Sequence, residues 1–389
     1  MKKVCVVTGT RAEYGLLKPV IERIYKEPDM ELQLIATGMH LSPEFGLTYK
    51  ELEKDGFPIV DKVEMLLSSD TNVGITKSMA VALMGFADCF ERLKPDIVIL
   101  LGDRYEMLMV ASAAMIAKIP IAHLHGGELT EGLIDEAIRH SITKMSYLHF
   151  TSTDEYRKRV IQLGEQPNRV YCVGALGVEN IKNIPLMNKG ELENALGIKL
   201  TKKNVLVTYH PVTLENMMAK QQFQNILDAL ESHRDLFVIF TKANADTNGR
   251  IINQMIDEYV SRNSNRSVVF TSLGQLRYLS VLQFCDMVIG NSSSGLLEVP
   301  TFHIPTINIG ERQRGRVCAE SVINCDNTVE EITKAIDKAS NEEFRKNICE
   351  CKNPYEKEGT SAQILEVIKK TLNEGIDIKK KFFDLDDEK

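Results

Sequence analysis

Short apolar runs rich in β-branched residues recur along the chain, each followed by a longer amphipathic stretch. Lys3–Thr8, Glu31–Thr37, Ile59–Val63, Asp96–Leu101, Ile119–His123 and Leu148–Thr151 have the length and composition of buried strands. Between them, Glu13–Lys26 repeats apolar residues at helical spacing (Leu16, Leu17, Val20, Ile21, Ile24), and Val73–Leu93, Arg104–Ala117 and Ile134–Met145 do the same. Strands alternating with helices predict βαβ units and a parallel sheet.

The alternation pauses at Val173–Leu200, a polar stretch rich in Asn and Lys that reads as a linker. It restarts with strands at Asn204–Tyr209, Leu236–Phe240, Ser267–Phe270, Met287–Ile289 and Ile304–Ile309. Helices at Lys220–Glu231, Asp246–Arg262 and Gln275–Phe284 separate them, and helices follow to about Leu372. The expected fold is α/β: two doubly wound, Rossmann-like domains facing a cleft, the first over residues 1–173 and the second over 174–359. The charged tail from Lys379 to Lys389 is expected to fray.

Composition acts mainly by exclusion. A length of 389 residues suits two domains, and 43% hydrophobic with 26% charged residues is ordinary for a soluble globular protein. A net charge of −7 without a basic block argues against nucleic acid or an anionic membrane as partner, so any bound anion needs a local pocket. Met1–Gly9 runs straight into a strand without a signal-peptide pattern. No apolar run approaches the length of a membrane span, about 18 residues. The eight cysteines are scattered without a CxxC pair, as expected of free thiols in a reducing cytoplasm.

Absent motifs narrow the chemistry further. There is no G-x-x-x-x-G-K-[ST] phosphate loop and no G-x-G-x-x-G after the first strand, so neither P-loop chemistry nor a tightly held dinucleotide is expected. His123, His125 and His140 match no metal-ligand spacing, and Cys349 and Cys351 have nothing nearby to complete a site. No metal and no cofactor are expected.

The chemistry that remains concentrates at strand ends, where open α/β sheets bind ligands. One apolar run stops at Gly102 and delivers Asp103 and Arg104; another ends in His123-Leu-His125-Gly-Gly-Glu128; a helix then opens with Ile134-Asp135-Glu136-Ala-Ile-Arg139-His140. Asp103, His125, Glu128, Asp135 and Glu136 form an acid–base cluster. Carboxylates titrate at about 4, so removing a carbon-bound proton at neutral pH requires one to be raised by burial or a like-charged neighbour. Asp135 and Glu136 also suit a plain helix N-terminus, with Arg104 and Arg139 as ion-pair partners.

The second half offers an anion site. Gly290-Asn291-Ser292-Ser293-Ser294-Gly295 follows an apolar strand and opens a helix, where free amides, hydroxyls and the helix dipole favour negative charge. Glu298, a turn later, can accept from a ribose diol. His210 ends a strand and serves as diphosphate ligand, acid or structural residue. Arg11 and Lys18 in the first half, and Arg312, Arg314 and Arg316 in the second, supply cations for a diphosphate.

Assembled in order, Thr8–Gly15, Leu101–Arg104, His123–Glu128, Ile134–His140, Tyr209–Pro211 and Gly290–Gly295 make the chain resemble the hydrolysing UDP-N-acetylglucosamine 2-epimerases of bacterial sialic acid synthesis, from the first strand to Arg316. The resemblance implies a fold like that of the two-domain GT-B glycosyltransferases, with a C-terminal helix at about 360–389 crossing back to the first domain. It implies anti elimination of UDP from UDP-N-acetylglucosamine to 2-acetamidoglucal, then hydration to N-acetylmannosamine. Asp103, Asp135 and the segment from His125 to Glu128 match the acid–base positions; Arg11, Lys18, Arg104, His210, Ser292, Ser293, Glu298 and Arg316 match nucleotide contacts. Non-hydrolysing relatives, and some hydrolysing ones, carry Glu where this chain has His125, so His125, Glu128 and Asp135 all stand as the C2 base. A homodimer or homotetramer is the implied assembly. The same chemistry on a 4-acetamido-6-deoxy UDP-sugar, a glycosyltransferase and a nucleotide-sugar sensor are the competing readings.

Overall fold

The computed structural model describes residues 1–67, 69, 71–130, 134–211, 219–243 and 249–385. The first residues of the helix expected at Asp246–Arg262 and the last four of the tail lie outside them. Two compact units divide the chain: Met1–Glu128 with Leu133–Asn180 and Lys357–Lys389, and Leu129–Gly132 with Ile181–Glu356.

The first unit is built on a parallel sheet of seven strands: β1 (Lys2–Thr8), β2 (Met30–Thr37), β3 (Ile59–Val63), β4 (Ile97–Leu101), β5 (Ile121–Leu124), β6 (Leu148–Thr151) and β7 (Val170–Cys172). Their order is β3-β2-β1-β4-β5-β6-β7, so the winding reverses between β1 and β4. Both faces are covered, one by Leu17, Ile21 and Ile24 with Ile364 and Ile368, the other by Phe86, Phe90, Val110 and Ala114. Double burial explains why β4 reads as an unbroken apolar run.

The second unit repeats the plan with β8 (Asn204–Thr208), β9 (Phe237–Thr241), β10 (Ser267–Phe270), β11 (Met287–Gly290), β12 (Thr306–Ile309) and β13 (Val322–Cys325) in the order β10-β9-β8-β11-β12-β13, all parallel. Its winding reverses between β8 and β11. Phe223, Ile226 and Ile336 cover one face, Leu192, Leu279 and Val299 the other.

The helix Arg11–Lys26 shows how local chemistry sets an element. Thr10 and Glu13 close a capping box at its start. Pro19 lies inside the helix and has no N–H for the Gly15 carbonyl. The side chain of Asn180 donates to that carbonyl instead, at 2.8 Å, so the freed acceptor stays satisfied.

Four sequence expectations change. β7 and β13 went unread because three or four residues with partly exposed positions are too short a signal at a sheet edge. The expected linker contains helices Leu176–Asn183 and Lys189–Leu196; its Asn-rich composition is that of caps, with Asn188 boxed to Glu191 and Gly197 left-handed at the far end. The tail is docked as far as Phe383, whose N–H donates to Gly164 O at 2.9 Å, while Lys380 reaches buried Glu165 at 2.6 Å. The helix Asn72–Leu93 is long and apolar enough to cross a membrane by length and composition, although one face packs Ala82, Phe86 and Phe90 into the core.

Candidate active site

In the first unit the reversal between β1 and β4 puts Thr8-Gly9-Thr10 beside Gly102-Asp103-Arg104 at the carboxyl edge, with the end of β5 next along. Asp103 does not stand free. Arg139, 1% exposed, donates to its Oδ2 from Nε at 2.9 Å and from a terminal nitrogen. The same guanidinium donates to Glu128 O and to Glu136 Oε2, each at 2.7 Å. Arg139 thus ties the strand ends of β4 and β5 to the first turns of the helix Ile134–Met145.

Asp135 sits on that first turn. Burial, and then the charge of Asp103, hold its carboxyl above the usual carboxylate range, against the pull of Arg139 and Arg104. Two acids in different environments therefore lie at one strand edge, an arrangement that suits different proton-handling roles.

His125 follows β5 in a left-handed conformation, φ 63°, with its N–H donated to Phe150 O at 2.8 Å. Its Nδ1 faces Glu128 Oε1 at 3.2 Å, and Ser152 Oγ donates to the same oxygen at 3.1 Å. A proton on Nδ1 directed at Glu128 leaves Nε2 as a bare acceptor, and among the described residues Nε2 has no protein partner. His123 is different: it is fully buried between Gly102 O (2.7 Å) and Thr143 Oγ1 (3.1 Å), and burial pushes it down to about 3, so it stays neutral. His140 pairs with Glu136 at 3.0 Å. The three imidazoles thus hold separate partners, and no group of three or more His, Cys, Asp or Glu suited to a metal occurs among the described residues.

The cations expected here have acidic partners. Arg11, 67% exposed at its side chain, pairs with Glu51 at 3.0 Å; Lys18 pairs with Asp55 at 2.8 Å, which also accepts from Tyr14. Arg104 donates from Nε to buried Glu106 at 2.7 Å.

In the second unit the reversal brings Thr208-Tyr209-His210 next to Gly290-Asn291-Ser292. Gly290 has φ 146°, and a Cβ there would stand 1.8 Å from Thr208 O. The strands can come this close only at glycine. Asn291 locks the two ends together: its Oδ1 accepts from His210 N and its Nδ2 donates to His210 O, both at 2.8 Å. Among the described residues the amides of Ser292, Ser293 and Ser294 donate to no backbone carbonyl. The helix they open spans only Ser294–Leu297, so the expected dipole is one turn long and the amides and hydroxyls carry any anion affinity.

A pocket of about 400 Å³ opens here, with His210, Ser292, Ser294, Glu298, Lys242 and Tyr278 in its wall. Ser294 bridges Tyr278, at 2.7 Å, and Glu298. Burial raises the Glu298 carboxyl, and the Ser294 hydrogen bond opposes the rise. Of the expected arginines, Arg312 donates to Asn291 O at 3.0 Å, Arg314 pairs with Glu311, and Arg316 lines a second pocket of about 370 Å³ with Asn308 and Gln313, the side chain of Gln313 donating to Asn291 O at 2.9 Å.

Sequence reading singled out the serine turn, Asn291 within it, but gave Asn291 no role of its own, treated Arg139 only as an ion-pair partner, and missed Lys242 and Tyr278. No local motif marks Lys242 or Tyr278; strand order brings them to the turn.

The family model described as UDP-N-acetylglucosamine 2-epimerase matches residues 22–369. The GDP/UDP-N,N'-diacetylbacillosamine 2-epimerase (hydrolyzing) of Campylobacter jejuni is 46% identical over 384 residues, 99% of each chain. The polysialic acid biosynthesis protein P7 of Escherichia coli is 40% identical over 386 residues, 99% of this chain and 98% of its own. The crystal structure of UDP-GlcNAc 2-epimerase from Neisseria meningitidis bound to UDP-GlcNAc has a TM-score of 0.80 at 20% identity, covering 95% of this chain and 100% of the other. That likeness is one of fold, the two-unit Rossmann-like GT-B type. With the family match running nearly end to end and 46% identity along the whole length, the chain belongs to the UDP-N-acetylglucosamine 2-epimerase family.

Proposed function

We propose that the chain is a hydrolysing UDP-sugar 2-epimerase. Elimination breaks the C1–O bond to UDP and the C2–H bond, and the C2–H electrons form the C1=C2 bond of a 2-acetamidoglycal. Water then adds, with hydroxyl to C1 and a proton to C2 on the opposite face, releasing UDP and the C2-inverted 2-acetamido sugar. The observation that carries this reading is the pairing at the first unit's strand edge: an imidazole with a bare Nε2 and a carboxyl held above its usual range.

Two proton-handling groups suit a reaction in which C2 loses a proton on one face and gains one on the other. We assign removal to His125, with Glu128 fixing its tautomer, and delivery to Asp135, whose raised carboxyl carries a proton at higher pH than an ordinary acid. Asp103, held by Arg139, adds its charge to the burial that keeps Asp135 raised. In the second unit the amides and hydroxyls of Ser292 and Ser293, with His210 and Arg316, hold the diphosphate as charge develops on it. Glu298 accepts from the ribose. Arg11, Lys18 and Arg104 are the first unit's phosphate cations. The reaction is redox-neutral overall and needs no cofactor.

The 46% identity to a diacetylbacillosamine enzyme favours UDP-N,N'-diacetylbacillosamine as the sugar substrate. UDP-N-acetylglucosamine, yielding N-acetylmannosamine for sialic acid synthesis, is the second reading; it rests on the motif resemblance and the 40% identity to a polysialic acid protein. Comparing kcat/KM for the two sugars, with NMR of the products, decides. UDP release that requires an acceptor sugar would point to a glycosyltransferase instead.

A further inference from the structure

At the reversal of the first sheet, two buried carboxylates share one cation. Glu13 is 8% exposed and Glu106 1%. Glu13 Oε2 accepts from Gly9 N at 2.7 Å and Thr10 N at 3.2 Å, while Glu106 Oε1 accepts from Arg104 Nε at 2.7 Å. The other oxygen of each, Glu13 Oε1 and Glu106 Oε2, is buried without a hydrogen-bond partner among the described residues. Both side chains press on Gly9, where a Cβ would come within 3.1 Å of Glu106 Cγ and 3.3 Å of Glu13 Oε2.

Among the described residues, the groups around the two carboxyls offer no second positive charge. On its own helix, Arg11 is turned to Glu51 and Lys18 to Asp55. His40, whose N–H donates to Gly9 O, is held between Thr8 and Thr48, and burial pushes it down to about 4, so it is neutral at physiological pH. Tyr105 is neutral there too, and Arg104 also meets the Met39 sulfur and extends its charge to Asp135, whose carboxyl it pulls down. Arg104 Nε reaches Glu13 Oε1 only at 4.0 Å. With both carboxyls ionised the cluster would carry a net buried negative charge. With one proton on it the cluster is neutral.

We propose that Glu106 is the positioning residue that seats Arg104 at the strand edge, and that Glu13 is its neutral, proton-carrying partner. Arg104 then presents its remaining N–H groups to an anion without a second negative charge behind it. Loss of the Glu13 proton weakens anion binding at Arg104, so a bound diphosphate and that proton favour one another. Burial first, and the Glu106 charge second, raise the Glu13 carboxyl to about 7, which places the transition in the physiological range. The link to diphosphate rests on the reading of Arg104 given under Proposed function; the protonation of Glu13 does not.

Two measurements on the full chain test this. Infrared spectroscopy should show a protonated-carboxyl band at about pH 6 that titrates near neutrality and is missing in Glu13→Gln, whose amide mimics the neutral acid. Calorimetric titration with UDP should give similar Kd values for wild type and E13Q at about pH 6. At about pH 8.5 wild type should bind roughly threefold or more weakly than E13Q, a comparison that cancels the titration of UDP itself. Should E13Q fail to fold, Glu106→Gln keeps an acceptor for Arg104 Nε but removes the neighbouring charge, and must move the same band to lower pH. A band unchanged by these substitutions, or equal pH dependence of UDP binding in wild type and E13Q, overturns the proposal. Absence of any UDP binding by wild type would overturn the diphosphate reading of Arg104, leaving the infrared band to decide Glu13.

Discussion

Arg139 closes on Asp103: a guanidinium wholly inside the first unit gives that carboxylate both Nε–H, at 2.9 Å, and a terminal N–H. The pairing gives the Asp103 charge a fixed counter-ion inside the fold. That charge, added to burial, raises the neighbouring Asp135 carboxyl. In the proposed reaction Asp103 is the standing charge and Asp135 the group that exchanges a proton.

Asp103→Asn and Asp135→Asn should each lower kcat by a factor of about 10² to 10⁴, the range typical of lost acid–base groups, and leave the UDP Kd within about twofold. Glu298→Ala and Arg316→Ala should instead raise the UDP Kd, by roughly tenfold for a lost charged hydrogen bond. Steady-state kinetics paired with UDP titration separates the two sets. Equal loss of UDP affinity in all four contradicts the division of roles.

Arg139→Met removes the cation from a buried cluster and leaves Asp103 and Glu136 facing each other without it. A loss of about 3–5 kcal/mol is expected from breaking a buried ion pair on one side. Urea unfolding near neutral pH measures it. A loss below about 1 kcal/mol, the range of exposed pairs, would show that water rather than Arg139 offsets the Asp103 charge.

The central strands were legible because a sheet covered on both faces needs uninterrupted apolar runs, as in Ile97–Leu101. β13 was not, since in Val-Ile-Asn-Cys at a sheet edge only Ile323 is buried. Asp103, His125, Ser292 and His210 were singled out because ligands of open α/β sheets sit at the carboxyl ends of strands, and each does follow a parallel strand, after β4, β5, β11 and β8 in turn. Glu13 reads locally as a capping residue and Glu106 as a first-turn acid; only the order of β1 beside β4 brings them together. Tyr278 and Lys242 stand next to the serine turn for the same reason, with no motif to announce them.

Glu13→Gln should change how stability depends on pH. A carboxyl with an unfolded value near 4.5 and a folded value of about 7 binds more protons when folded, so wild-type stability falls as pH rises between those values and levels off above. E13Q lacks this decline. Relative to wild type it should gain up to about 3 kcal/mol between roughly pH 4.5 and pH 7.5, read from urea melts across the range. A constant difference would mean that Glu13 is ionised throughout.

Lys380→Ala tests the docked tail. Lys380 Nζ donates to Ser146 O at 2.6 Å and Lys144 O at 2.9 Å, and meets Glu165 Oε2 at 2.6 Å. Burial alone would raise Glu165, but His149, Lys144 and Lys380 together hold it down to about 2. A depressed acid contributes stability that is present above its unfolded value and lost as pH falls through the folded one. K380A should therefore cost about 1–3 kcal/mol near pH 7 and less near pH 3, by urea melts. An unchanged midpoint at neutral pH would mean that the tail adds nothing.

Proton exchange at C2 is the heart of the proposed reaction, and it leaves a mark that no simple hydrolysis leaves. The chain should be incubated in D2O with UDP-N,N'-diacetylbacillosamine and, separately, UDP-N-acetylglucosamine, and the released sugar read by NMR. The expected product has inverted C2 configuration and a single deuterium at C2, with one UDP released per sugar. A product that keeps its C2 proton, or its C2 configuration, contradicts the proposed reaction.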